Sequence, residues 1–116
     1  MKIAERTLGA VTVIDIDGAI TLSEGDTDRL ADKVRSLLQQ GRKQLIANLT
    51  KVSYMDSAGL GELVQAYTTV SRQGGALKLV GVTKRLNDLL VITKLATVFD
   101  SYDSEAAAAA SFGASV

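Results

Sequence analysis

Short apolar runs of strand length alternate with amphipathic helical patterns along this chain of 116 residues. Two β-type runs, residues 3–8 and 11–17, flank Gly9-Ala10, which suits a hairpin turn. After them, apolar residues at helical spacing predict a helix from about residue 24 to residue 40. Strands that alternate with helices after an opening hairpin form a mixed sheet covered by helices. The sequence therefore predicts an α/β fold, in a single domain spanning residues 1–116.

The rest of the chain continues the alternation in the order β-β-α-β-α-β-α-β-α. Three further strands are predicted, at residues 44–49, 76–80 and 97–102. A second helix is predicted to end near Arg72, a short third helix to be capped by Thr83, and an alanine-rich last helix to begin at Ser104-Glu105.

The residue types that are missing exclude several kinds of chemistry. The chain contains no Cys and no His, which excludes disulfides, thiolate nucleophiles and any Ser-His-Asp triad. Thirteen basic and thirteen acidic residues balance, so no overall charge favours nucleic acid or an anionic membrane. We therefore expect a non-enzymatic protein without a cofactor, with no direct nucleic-acid or membrane partner. The chain shows neither a signal-peptide pattern nor a membrane-spanning apolar run, and we expect it to be cytoplasmic.

Residues 56–62, with the sequence DSAGLGE, join a predicted strand to a predicted helix. A serine in the first helical turn lies where unpaired N–H groups and the helix dipole favour negative charge. Ser57 is therefore a candidate for phosphorylation. The alternative interpretation is that Ser57 is an N-cap, since serine is favoured there whatever the function.

Gly59 and Gly61 are unusual in the first turns of a helix, because each costs roughly 1 kcal/mol relative to alanine. The pair is not a phosphate-binding glycine loop, since it lacks a third glycine and a following Lys-Ser/Thr. Close approach of another backbone explains the glycines better. That backbone would belong either to a neighbouring element or to a partner protein.

Three segments, in the same order along the chain, resemble the STAS family of sulfate-transporter and anti-sigma-factor-antagonist domains. They read DIDGAI, LIANLTKVSYMDSAGLGELV and RQGGALKLVGVTKRLNDLLVITKLATVFDSYDS. The resemblance covers essentially the whole chain. It implies a mixed sheet of about five strands with helices packed mainly on one face.

The resemblance also implies a function, that of an anti-sigma factor antagonist. An anti-sigma factor that is also a serine kinase of histidine-kinase-like ATPase fold would bind the chain and phosphorylate Ser57, and a serine phosphatase would reverse the reaction. Phosphorylation would release the partner. The implied partner-binding residues lie around Ser57 and in the loop before the first helix: Ser23, Asp26, Asp56, Ser57, Ala58, Gly59, Leu60 and Gly61. The alternative of the same fold is a STAS subunit of a transport or stress-signalling complex with a structural serine.

Two other groups of side chains have simpler explanations. Glu24, Asp26 and Asp28 stand at the start of a predicted helix, where acidic residues complement the dipole, and their spacing is unsuited to a metal site. We interpret Lys51, Lys84, Arg85 and Lys94 as solvated surface charge. The alternative is that they contact the kinase partner on its ATP side. Val91 and Ile92 extend the apolar run beyond one helical face, which leaves apolar surface for a partner.

Overall fold

In the computed structural model, which describes residues 2–21 and 29–112, strands and helices follow the predicted order. The strands are β1 (Lys2–Leu8), β2 (Val11–Ile20), β3 (Gln44–Met55), β4 (Ala76–Val80) and β5 (Ser101–Tyr102). The helices are α1 (Arg29–Gln39), α2 (Ser57–Arg72), α3 (Lys84–Ile92) and α4 (Glu105–Ala110). The predicted α/β fold is confirmed.

The strands form one mixed sheet in the spatial order β1-β2-β3-β4-β5. β1 and β2 are the predicted antiparallel hairpin, and Gly9 takes the positive φ of 63° that its tight turn needs. All the later pairings are parallel. The carboxyl ends of β2 and β3 consequently meet at one edge of the sheet, where Ile20 pairs with Met55.

Helices cover the two faces of the sheet unequally. α1, α2 and α3 contribute to one large core cluster with the inner side chains of β2, β3 and β4. α4 packs on the opposite face, where Ala108 joins a smaller cluster with Val13 and Ile46. The expectation that helices lie mainly on one face is confirmed.

Several predicted boundaries were wrong. β3 does not end at Leu49 but continues to Met55, and β2 continues past Asp17 to Ile20. Beyond Leu49 most β3 side chains are exposed, so the continuous apolar run marks only the half of the strand that is buried on both faces. The predicted strand at residues 97–102 shrinks to Ser101–Tyr102.

Phe99 shows why the apolar pattern before β5 was misleading. Its ring is 4% exposed and meets the edge of Tyr67 from α2, with ring centroids 5.1 Å apart. Phe99 therefore seals the end of the core instead of forming part of a strand, whereas Val98 beside it is 38% exposed. The predicted start of the first helix, with Glu24 and Asp28, falls outside the described residues.

Candidate functional site

The site lies where β3 ends and α2 begins, at the carboxyl edge of the parallel strands. Asp56 is extended (φ −95°, ψ −176°) and forms the N-cap of α2. Its Oδ1 accepts a hydrogen bond from the Gly59 N–H at 2.8 Å, and its carbonyl oxygen accepts from Leu60 N–H at 2.9 Å. The interpretation of Ser57 as the N-cap is therefore wrong, because the preceding aspartate has that role.

Ser57 is the first residue of α2, and its side chain is exposed. Its hydroxyl makes no hydrogen bond to any of the residues that the structure describes. Since the cap belongs to Asp56, Ser57 contributes little to closing the helix. The hydroxyl is left accessible at the positive end of the helix dipole, which tolerates an added phosphate better than the rest of a helix does.

Gly59 fixes the start of α2 against the end of β2. A Cβ atom added at Gly59 would lie 1.9 Å from the carbonyl oxygen of Ile20 and 2.8 Å from its carbonyl carbon. The same Ile20 oxygen accepts a hydrogen bond from Asp56 N–H at 3.4 Å. The close approach expected at Gly59 is therefore made by a neighbouring element of the same chain.

Gly61 differs from Gly59 both in its exposure and in the space around it. It is exposed, and an added Cβ would meet nothing within 4 Å. At i+4 from Ser57 it lies on the same side of the helix and places no side chain beside the serine hydroxyl. No contact within the described residues requires glycine there, and a partner contact at Gly61 stays a prediction.

The predicted site residues thus divide into surface and core. Ser57 and Gly61 are exposed, and Asp56 and Ala58 are partly buried. Gly59 and Leu60 are buried, so their role in this structure is packing, and as partner contacts they stay predictions. Ser23 and Asp26 fall outside the described residues.

Glu62 was missed by the sequence reasoning. It is 3% exposed, and its Oε1 accepts a hydrogen bond from the Leu30 N–H in the first turn of α1 at 2.7 Å. A buried carboxylate thereby ties the helix that bears Ser57 to the start of the neighbouring helix. The signal was its spacing, because Ala66 and Val70 follow at i+4 and i+8 and both are fully buried.

A groove of about 320 Å³, which we call the α3 groove, runs between the end of β3 and helix α3. It is lined by Val52, Ser53, Tyr54, Met55, Thr83, Arg85, Leu86, Asp88, Leu89 and Ile92. Tyr54 at its rim is 50% exposed, and Ile92 at the end of α3 is 78% exposed. The apolar surface expected at the end of this helix is therefore present.

A wider cleft of about 820 Å³ lies on the face of the sheet that carries α4. Arg6 there binds Asp15 through two hydrogen bonds and Glu105 through two more, at 2.6 and 3.1 Å. The guanidinium of Arg6 holds the pKa of Asp15 below its ordinary value, and the two carboxylates raise the pKa of Arg6. Because this arginine is already paired twice, we assign the cluster to holding the start of α4 rather than to a ligand.

Two absences hold for residues 2–21 and 29–112. Within these ranges the structure brings together no group of three or more potential metal ligands. Over the same part of the chain, every helix is too short or too polar to cross a membrane.

Comparison with known proteins identifies the family. The model of the STAS domain matches residues 2–108. The chain belongs to the STAS domain family. Among curated relatives of this STAS domain, the anti-sigma-B factor antagonist of Bacillus subtilis (strain 168) is 44% identical over 71 residues, a match covering 61% of this chain and 64% of that protein. The match therefore spans less than two thirds of the relative's length. The anti-sigma-B factor antagonist of Listeria monocytogenes is 33% identical over 71% of this chain and 86% of that protein.

Solved structures of the anti-sigma factor antagonist SpoIIAA share the fold. The unphosphorylated form superimposes with a TM-score of 0.72 and 15% identity, over 99% of this chain and 100% of that one. The phosphorylated form, from Bacillus, gives a TM-score of 0.69 and 18% identity over 91% and 96% of the two chains. At these identities the similarity shows the STAS fold alone.

Proposed function

We propose that this STAS domain is an anti-sigma factor antagonist controlled by phosphorylation of Ser57. The observation that carries the proposal is the exposed hydroxyl of Ser57, which makes no hydrogen bond within residues 2–21 and 29–112 and lies beside an aspartate that already caps the helix. A serine without a structural hydrogen bond is free to be modified with little effect on the fold. The similarity to anti-sigma-B factor antagonists supports the regulatory role.

Electrostatics explains how the modification would act. A phosphoryl group adds about −1.5 to −2 charges at neutral pH. Asp56 is the adjacent N-cap, so the start of α2 would change from one negative charge to about three. A partner that packs over this turn must then desolvate the phosphate or meet it with its own charges, and like charges facing each other cost several kcal/mol. The partner would therefore bind the unphosphorylated protein and dissociate from the phosphorylated one.

The partner in this proposal is an anti-sigma factor that is also a serine kinase of histidine-kinase-like ATPase fold. Unmodified antagonist binds it and so frees the sigma factor, which regulates transcription without contact between this chain and DNA. A serine phosphatase restores the unmodified form, and the cycle takes place in the cytoplasm. The exposed Gly61, which has no side chain, supports close approach of such a partner to the serine.

The alternative of a STAS subunit with a structural serine has less support. A structural serine needs a hydrogen-bonding role, and Asp56 has the role that the helix start offers. We therefore keep the switch as the proposed function.

Binding of matched variants to the purified anti-sigma factor kinase of the same organism tests the proposal. Ser57→Ala is expected to bind like the unmodified protein, whereas Ser57→Asp is expected to bind at least about tenfold more weakly, since about 1.4 kcal/mol corresponds to a factor of ten. Ser71→Asp provides the control, because Ser71 is also exposed but lies in the last turn of the same helix, away from Ser57. Equal affinities of Ser57→Ala and Ser57→Asp would refute the switch.

A further inference from the structure

The α3 groove is apolar at its floor and open at its rim. Val52 and Met55 from β3 and Leu86 from α3 are each between 5% and 8% exposed and form the floor. Tyr54 and Ile92 stand on the rim. A volume of about 320 Å³ is at the small end of the range for ligand pockets, roughly 300 to 1,000 Å³. It suits one or two aliphatic side chains.

Among the described residues, the exposed large apolar side chains include Tyr54, Val91 and Ile92 at or beside this groove, whereas Leu8 and Val98 do not line it. Tyr54 and Ile92 line it, and Val91, 57% exposed, adjoins Ile92 at the end of α3. Single exposed apolar residues are normal on a protein surface, but a contiguous group beside a groove marks an interaction site. Leu8, 40% exposed, is by contrast at the hairpin, on the outermost strand of the sheet.

The charge around α3 indicates what kind of segment the groove would accept. Lys84, Arg85 and Lys94 are exposed on α3 and just after it, and Asp88 is the exposed acidic residue of that helix. The excess of positive charge favours a partner segment with acidic side chains, because complementary charges speed and orient docking.

The groove is also continuous with the Ser57 site. Met55 lines the groove and precedes Ser57 by two residues, so the chain between them spans at most about 7 Å. A typical interface buries roughly 800 Å² on each partner, an area wide enough to include two sites about 7 Å apart. One partner bound over Ser57 would therefore also cover the groove.

We infer that the α3 groove is the anchoring site for the same anti-sigma factor, and that it receives an aliphatic side chain from an acidic segment of that protein. The inference rests on the proposed function. The two sites have different tasks: the groove supplies affinity through a buried apolar anchor, and the first turn of α2 makes that affinity depend on phosphorylation.

The test is the affinity of groove variants for the purified anti-sigma factor kinase, measured by titration calorimetry. Ile92→Asp and, as a milder change, Ile92→Ser are compared with Leu8→Asp and Leu8→Ser. Ile92 is 78% exposed, so its replacement removes little buried area, and circular dichroism verifies that each variant is folded. We expect Ile92→Asp to weaken binding roughly tenfold or more, and the Leu8 variants to bind like the unmodified protein.

Charge is tested with a second matched pair. Arg85→Glu reverses a charge at the groove, whereas Lys43→Glu reverses an exposed charge next to the start of β3, at the far end of that strand. Arg85→Glu is expected to lower both the rate of association with the kinase and the dependence of that rate on salt. Lys43→Glu is expected to leave both quantities unchanged.

The outcomes separate the anchor from the switch. Normal binding by Ile92→Asp, together with weak binding by Ser57→Asp, would overturn the anchor and leave the switch. Weak binding by Ile92→Asp together with normal binding by Ser57→Asp would support the groove and refute the switch. If no kinase binds the unmodified protein, both fail. Self-association that Ile92→Asp abolishes would assign the groove to a second copy of the chain and overturn the inference.

Discussion

Replacing Gly59 by alanine should destabilise the chain, although alanine is the better helix former. The added Cβ would lie 1.9 Å from the Ile20 carbonyl oxygen, a distance that real contacts do not reach, so the two backbones must separate by about 1 Å or more. Neither contacting atom can rotate away, because both belong to the backbone of β2. The strain must therefore be relieved by shifting α2 against the sheet.

The expected cost can be worked out from three contributions. Overpacking costs about 1 to 3 kcal/mol, and loss of the Asp56 N–H to Ile20 hydrogen bond adds about 1 kcal/mol. Better helix propensity returns about 1 kcal/mol. The net destabilisation of Gly59→Ala is thus about 1 to 3 kcal/mol, which lowers the melting temperature of a chain of this size by roughly 4 to 12 °C.

Gly61→Ala is the matched control, since the same change two residues away meets no atom within 4 Å. It should raise stability by up to about 1 kcal/mol. Urea denaturation of the two variants beside the unmodified protein gives both values. If Gly59→Ala were stabilised as much as Gly61→Ala, the packing of α2 against β2 described here would be incorrect.

Two further predictions concern buried and paired charges. Glu62→Ala should lower the unfolding free energy, measured by urea denaturation, by about 2 kcal/mol, because it removes the acceptor for a buried N–H. Glu62→Gln should lower it less, and the exposed control Gln65→Ala should leave it almost unchanged. Arg6 lowers the pKa of Asp15 in the folded protein. Their pairing therefore stabilises the fold above the ordinary aspartate pKa of about 4, and this stabilisation is lost as the pH falls through the lower pKa that Asp15 has in the folded state. Arg6→Gln should therefore melt below the unmodified protein at neutral pH and approach it in acid. A gap that stays constant with pH, or an equal gap for Arg35→Gln, would contradict this.

The order of elements could be predicted because each apolar run carries its own period. Residues 76–80 and the helix that ends at Arg72 were predicted with the bounds that the structure has at those points. The site could also be placed, because the apolar periodicity of α2 begins within residues 56–62 and puts Ser57 at the start of a helix. These features depend on local sequence alone.

What could not be predicted depends on contacts between distant parts of the chain. Glu62 reaches the start of α1, and Arg6 joins Asp15 on β2 to Glu105 on α4. Phe99 lies in a strand-like stretch of sequence, but its ring packs against Tyr67 of α2. The different reasons for Gly59 and Gly61 likewise appear only when the end of β2 is placed beside α2. Periodicity carries no information about such pairings.

The claim that Ser57 is the switch is tested most directly by intact-mass analysis after incubation with ATP and the purified anti-sigma factor kinase, with the phosphate mapped by fragmentation. The account predicts one phosphoryl group, located on Ser57 and absent from Ser57→Ala, and it predicts that the phosphorylated protein no longer forms the complex. A phosphate on another residue, or a complex equally stable with phosphorylated Ser57, would contradict it.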